Sequence, residues 1–489
     1  MQIIKALLLS LVVLAHVPIV SGGQPNILFI VSDDLSATAL GAYGNEVCKT
    51  PNLDRLASEG IQFNRAYCQY PVCGASRASF MSGLYPETTG FLGNIKTLGS
   101  YRKVNPTYAD HPSIGGFLRR NGYVSARVSK IYHMGVPGGI EAGEPGGDEP
   151  DSWDRAFDVW APETGSPGVF TNLSPAHKHW GGAFVRVVVP DDQSATQADE
   201  MATTQAIGIL ENRALHRNNT NFLKPGAPLF LAVGLVRPHV PLVAPERHFR
   251  HYNAENVTLP EVVDGDLDDV PAPNRKKANA TSYKMSPDQA QEALAAYYAS
   301  VTYMDEQVGR LLDALDRLEM ANDTIVVFIS DHGWLLGEHG SWQKSNLFDP
   351  ACRVPLIIRA PGRQVGAGRA DAHLVELVDL YPTLAELAGL KEKAPESLEG
   401  LSLVPLLENP DFSGWPREAS LTVMGTKKAT HRSLRSEDYR YSRYAEGEEE
   451  LYDHVNDARE ITNQASNPEF APVLDRLRSA MDEIIAKPK

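Results

Sequence analysis

The sequence predicts an α/β fold: a large domain with a central, mostly parallel sheet flanked by helices, and a small C-terminal α+β subdomain. Three observations carry this. Residues 26–31, 229–236 and 324–330 are continuous apolar runs of strand length. Runs without alternation belong to strands covered on both faces, as in parallel sheets. Helical patterns lie between them, so β and α alternate. Two of the runs also stop abruptly in acidic sites, Asp33-Asp34 and Asp331-His332. Ligands of open α/β sheets bind beyond the carboxyl ends of the strands, so a site is expected there.

The elements follow in order. Residues 51–60 are helical, 113–121 form a short helix and 123–129 a strand. Residues 138–152 are rich in Gly, Pro and acid and predict a surface loop. The run at 229–236 ends in Arg237-Pro238-His239. Residues 260–285 are polar and irregular. Ser286 is then a good N-cap with Pro287 at the first helical position. Leu294, Tyr297, Val301, Met304, Val308, Leu311, Leu315 and Leu318 keep helical spacing behind it. Asp305 on this helix reads as a structural hydrogen-bonding residue. From about residue 409 the character changes: 421–424 and 438–443 predict shorter strands and 472–485 an amphipathic terminal helix. The division is therefore 24–408 and 409–489.

The N-terminus reads as a secretory signal. Lys5 precedes an apolar run over 6–20, and Ser21, Gly22 and Gly23 offer a cleavage point. A membrane anchor is the alternative, but the run is short and carries His16 and Pro18. Residues 1–23 are set aside as the signal. The mature protein is expected in the periplasm or outside the cell, or in a lysosome in a eukaryote, with no membrane span. A net charge of −15 argues against a nucleic-acid partner, which calls for a basic face. It leaves room for an anionic substrate met by a few clustered cations. Four cysteines, Cys48, Cys68, Cys73 and Cys352, do not suggest a disulfide framework, although a Cys48–Cys68 bridge is open. Sequons stand at Asn172, Asn218, Asn256, Asn279 and Asn322.

Asp33, Asp34, Asp331 and His332 form an oxygen-rich set at two strand ends, suited to a hard cation such as Ca²⁺ or Mg²⁺. Each pair read singly is also an ordinary loop end. Cys73, within Val72-Cys73-Gly74-Ala75-Ser76-Arg77, is by itself a small buried thiol.

The order of motifs resembles the formylglycine-dependent sulfatases of the alkaline-phosphatase-like superfamily, and within them the iduronate-2-sulfatase-like enzymes. Cys73 to Arg77 is similar to the Cys-x-Pro-x-Arg signature, with Ala75 where proline is usual. Ser82-Gly83-Leu84-Tyr85-Pro86 matches the turn that follows. Ser129-Lys130-Ile131-Tyr132-His133 resembles a Gly-Lys-x-x-His segment, and Arg237-Pro238-His239-Val240-Pro241 a Lys-Pro-His-x-Pro segment. The stretch from Ser330 to Lys344 is the longest match, with Lys344 thirteen positions after Asp331. The likeness runs from Asn26 to Leu451-Tyr452-Asp453.

The resemblance implies a catalytic domain over 24–408 and a set of roles. Asp33, Asp34, Asp331 and His332 hold one calcium ion, with modified Cys73 as a further ligand. A maturation enzyme converts Cys73 to formylglycine. Its hydrate attacks sulfur with one hydroxyl; deprotonation of the other restores the aldehyde and ejects sulfate. Arg77 and Lys130 stabilise the modified residue and the sulfate charge. His133 is the base of aldehyde regeneration, and His239 and Lys344 face the bridging oxygen, one as acid. Taken singly, Lys130, His133 and Lys344 also read as a surface lysine, a strand-end histidine and a solvated loop charge. His339, Trp334, Arg353 and His431 are candidates for the substrate rim or for structural roles. The expected substrate is a sulfated carbohydrate, uronate-type or similar. The alternatives are a phosphonate or phosphate monoester hydrolase, an unmodified glycan-binding pseudo-sulfatase and an acidic structural protein.

Overall fold

The computed structural model describes residues 23–95, 100–177, 179–215, 226–278 and 283–486. The signal read at 1–23, except Gly23, and the sequons at Asn218 and Asn279 lie outside the described residues. The main sheet has nine strands: β1 (Asn26–Asp33), β2 (Ile61–Tyr67), β3 (Val124–Ser129), β4 (Arg155–Phe157), β5 (Leu229–Pro238), β6 (Thr324–Ser330), β7 (Arg353–Val354), β8 (Leu356–Arg359) and β9 (Arg369–Glu376). β1 lies between β5 and β6 and is parallel to both. β3 is parallel to β5, and β4 to β3. On the other side β8 runs antiparallel to β6 and β2, and β9 parallel to β2. The three apolar runs are thus adjacent central strands.

Burial on both faces explains their composition. Leu28 and Ile30 of β1 point into one core with the long helix Pro287–Arg317 and the helix Ala198–Leu215. Ile27, Phe29 and Val31 point into the other, with Phe80, Phe117 and Tyr381. Ser286 caps the long helix as its sequence predicts, in a reciprocal box with Gln289. Asp305 accepts from the amides of Asn52 (3.1 Å) and Leu53 (2.8 Å), so it caps the helix Pro51–Glu59 from a distant element. No helix among the described residues is long and apolar enough to cross a membrane.

Three expectations are corrected. Residues 138–152 are not a bare surface loop. They hold the helix Gly138–Ala142, and Asp148 is buried, accepting from Arg127 Nε (2.7 Å) and Trp153 Nε1 (2.9 Å). Residues 260–285 include the helix Ala272–Ala278. The C-terminal segment has four antiparallel strands, Ala419–Thr426, Ala429–Ser436, Tyr439–Arg443 and Glu449–Asp453, not two. The added pair is rich in charge. Its charges are matched by tertiary partners, as Arg432 is by Glu87 and Glu450 by Arg440. The terminal helix is Ala471–Ala486. Leu421, Val423 and Leu474 pack in one core with Ala75 and Ala78 of the helix Cys73–Ser82. All four cysteines are free. Cys48 sits in one core and Cys68 in the other, so the sheet separates them.

Burial pushes the Asp305 carboxyl up from 3.8 to about 7, against its amide donors. The folded protein then binds this proton more tightly than the unfolded chain. The stabilisation is full below about pH 4 and is lost as pH rises through 7. Asp305→Asn should therefore flatten the fall in melting temperature over that window. Asp305→Ala, which leaves the helix amides unpaired, should lower unfolding free energy by about 1–3 kcal/mol in urea titrations.

Candidate active site

The site lies at the carboxyl ends of β1 and β6, beside the first turn of the helix Cys73–Ser82. Every residue of that helix is buried. Ala75 falls in its first turn, where an amide has no acceptor within the helix. Alanine and proline are equally able to continue the chain there. Gly74 is required for a close approach: a Cβ would lie 2.5 Å from the Gly93 carbonyl oxygen.

Four of the five expected ligands come together. One ligand atom each of Asp33, Asp34, Cys73 and His332 lie within 4.8 Å of one another. Cys73 Sγ is 3.3 Å from His332 Nε2 and 3.9 Å from Asp34 Oδ1. Asp331 adjoins the group, with Oδ1 3.6 Å from His332 Nε2. Its oxygens already accept from the His332 amide (3.0 Å), the Asp34 amide (3.3 Å) and Arg77 Nε (2.8 Å). Asp34 Oδ2 is buried without a hydrogen-bond partner; His239 Nε2 stands 3.6 Å away, too far for one. A buried carboxylate oxygen left open beside further carboxylates fits a hard cation.

The cations divide into two kinds. Arg77 is fully buried and bonds to Asp33 Oδ1 (3.1 Å) and Asp331 Oδ2, while its other nitrogen donates to the carbonyls of Lys130 and Ile131. Lys130 is fully buried on Asp33. Both therefore act on Cys73 through the carboxylates. Lys344 is 15% exposed and bonds to Asp34 and Cys73 Sγ (3.0 Å), its ammonium 5.4 Å from the Trp334 ring centroid. It is the cation of this set that an incoming molecule can touch.

These contacts set the proton affinities. Burial raises the Asp33 carboxyl, but Lys130, then His239 and Arg77, hold it well below the usual range. Burial works against the Lys344 charge, yet Asp34 and then Cys73 lift its pKa above an ordinary lysine. Burial drives His133 down to about 2, with Lys130 adding to it. It drives His239 down to about 4 despite Asp34 and Asp33. Both imidazoles are neutral at pH 7. The His239 Nδ1–H donates to the Val240 carbonyl (2.6 Å), which leaves Nε2 as an acceptor toward the site.

The remaining candidates take structural contacts. His339 pairs with Asp266 (3.0 Å) and stacks on Phe348. Trp334 is buried and stacks on Tyr297. Arg353 pairs with Asp349, and His431 accepts from the Ala445 amide. Other residues that shape the site carried weaker signals. Tyr297, read only as an apolar helix position, donates from its hydroxyl to the Asp34 carbonyl (2.7 Å) and accepts from the Ser36 amide. Gly234 interrupts an apolar run, a sign of close backbone approach. Its Cβ would lie 2.1 Å from the Lys130 carbonyl oxygen. Arg237 is fixed by Glu163 and holds the carbonyls of His239 and Pro241 (3.1 Å each). Asp34, Ser129, Gln343 and Ser345 all hold left-handed backbone, a strain typical of functional sites.

Comparison with known proteins agrees with this geometry. Residues 25–390 match the family model described as Sulfatase. The chain belongs to the sulfatase family. Residues 337–487 also match the model for the C-terminal part of N-sulphoglucosamine sulphohydrolase. The sulfatase is 33% identical to a sulfatase of Formosa agariphila over 94% of this chain and 86% of that protein. It is 36% identical to human iduronate 2-sulfatase over 75% of this chain and 69% of that protein. Its fold is shared with the phosphonate monoester hydrolase of Silicibacter pomeroyi, at a TM-score of 0.75 and 24% identity over 94% and 95% of the two chains. The large α/β domain with its mostly parallel central sheet is the architecture expected from the sequence.

Removing Arg77 leaves Asp33 and Asp331 buried without their shared cation. Arg77→Ala should lower unfolding free energy by about 3–5 kcal/mol in chemical denaturation. Gly234→Ala, which drives a methyl into the Lys130 backbone, should cost about 1–3 kcal/mol and reduce activity along with stability.

Proposed function

We propose that this sulfatase removes an O-sulfate from a carbohydrate, using formylglycine made from Cys73 and one calcium ion. The observation that carries the reading is the setting of Cys73. It stands in the first turn of a buried helix, beside a buried Asp34 oxygen left without a hydrogen bond and within reach of the ammonium of the partly exposed Lys344. The thiol sulfur marks the place of the hydroxyl of the hydrated aldehyde. Asp33, Asp34, Asp331 and His332 would hold the cation. Calcium, when bound, supplies a positive charge that polarises the sulfate and favours the ionised nucleophile.

The chain's own residues supply the rest. The Cys73–Ser82 helix presents its positive end to the sulfate. Arg77 and Lys130 keep Asp33 ionised and in place. Lys344 carries a proton and is accessible, so it is the acid for the leaving alcohol. His239 is neutral with Nε2 open, so it accepts rather than donates there. His133, also neutral, takes the proton that restores the aldehyde. The human iduronate 2-sulfatase likeness supports a uronate-type or related sulfated glycan. The apolar run over 6–20, read as a leader, supports maturation in the periplasm, outside the cell or in a lysosome.

Mass spectrometry of the Cys73 peptide should show formylglycine, lighter than cysteine by a sulfur exchanged for an oxygen with two hydrogens lost. Cys73→Ala should abolish sulfate release while leaving the melting temperature close to that of the parent. Chelation should suppress turnover, and calcium should restore it. Hydrolysis of phosphonate or phosphate esters alone would contradict the sulfatase chemistry. Glycan binding by an unmodified Cys73 protein without sulfate release would contradict catalysis.

A further inference from the structure

A pocket of about 750 Å³ is lined by His133 of the candidate site and by residues of the helix Gly138–Ala142. This volume falls within the roughly 300–1,000 Å³ of small-molecule sites and far exceeds the needs of a sulfate group. Trp180 forms one wall. It is half-buried, packs against the valine cluster of Val185, Val187 and Val243, and meets the edge of Phe170 at 5.5 Å. Its position is therefore fixed before anything binds. Gly135, Gly138, Gly139 and Gly146 also line it and offer backbone rather than side chains. Glu141 and Glu144 supply its carboxylates, His133 and His179 line it too, and no Lys or Arg lies among the described lining residues. Glu141 is held by the Thr164 amide (2.6 Å) and hydroxyl.

The chemistry of this wall is the reverse of the catalytic end. Beside Cys73, the ammonium of the partly exposed Lys344 favours an anion. Beyond His133, an aromatic face and two carboxylates disfavour one. An aromatic wall accepts the apolar C–H face of a pyranose, and carboxylates accept its hydroxyls. A second carboxylate or sulfate placed there meets like charge, a common means of rejecting wrong partners.

We propose that this pocket binds the sugar next to the sulfated one, and that this second sugar is uncharged. The proposal rests on the carbohydrate O-sulfate reading and narrows it: the substrate is a glycan in which a sulfated ring adjoins a neutral ring.

The test uses the full mature protein and three sulfated rings: iduronate 2-sulfate, glucosamine 6-sulfate and galactose 6-sulfate. Each is offered as the monosaccharide, linked to glucose, and linked to glucuronic acid. For the ring that is hydrolysed, the glucose-linked form should have a kcat/KM about 10-fold above the other two, the factor that 1.4 kcal/mol supplies. Gly138→Leu, whose Cβ meets nothing within 4 Å and so points into open space, should erase the gain over the monosaccharide. Trp180→Ala should do the same. Glu144→Lys, at an exposed position, should shrink the preference for glucose over glucuronic acid by about the same factor. A glucuronic-acid preference in the parent, or variants that change all three forms in parallel, would overturn the proposal. If no form releases sulfate, the catalytic reading fails separately, and calorimetry with lactose decides the pocket. Binding lost in Gly138→Leu then upholds it, and no binding by the parent refutes it.

Discussion

The structure depends on how the carboxylates at the ends of β1 and β6 are kept ionised in a buried place. Asp33 and Asp331 are fully buried and share one guanidinium, that of Arg77, which arrives from the Cys73–Ser82 helix. Burial of one such charge unpaired costs several kcal/mol. The pairing therefore ties the helix to the central strands at the point where chemistry is needed. It also fixes Lys130, whose carbonyl accepts from the same guanidinium while its ammonium neutralises Asp33. Asp34 is left as the partly open member. Its Oδ2 has no hydrogen bond, and its Oδ1 meets Lys344. A closed anchor and an open face are thus built from adjacent residues.

The same frame separates two sealed cations from one that is partly exposed. Arg77 and Lys130 are sealed, so their charge reaches the site through carboxylates. Lys344 sits between two residues with left-handed backbone, Gln343 and Ser345, and is partly exposed. His133 and His239 stay neutral because they are buried. Beyond His133 the surface changes sign and becomes aromatic, which gives the region a preference about what is attached to the sulfated ring.

Much of the fold is legible in the residues. Apolar runs without alternation identified β1, β5 and β6 because strands covered on both faces need none. Ser286 and Pro287 marked the start of the long helix because capping is local. The charged C-terminal strands were less legible. Ala429–Ser436 reads as polar, and only its neighbours reveal the partners of its charges. Residues 138–152 misled in the same way, since the acidity of Asp148 is answered by Arg127 from β3.

For the site, the sequence by itself determined which residues are present and in what order: Asp33, Asp34, Cys73, Arg77, Lys130, His133, His239, Asp331, His332 and Lys344. Their identities are chemical and need no coordinates. Tertiary structure decided which of them meet and which stay open. It assigned Arg77 to two carboxylates, gave the oxygens of Asp331 three protein donors and left Lys344 partly exposed. Those outcomes depend on burial and on contacts between residues far apart in the chain. Asp34 and Tyr297, joined by one hydrogen bond, are 263 positions apart. No local pattern encodes such a pairing, because the energy that selects it arises only when the strands and helices pack.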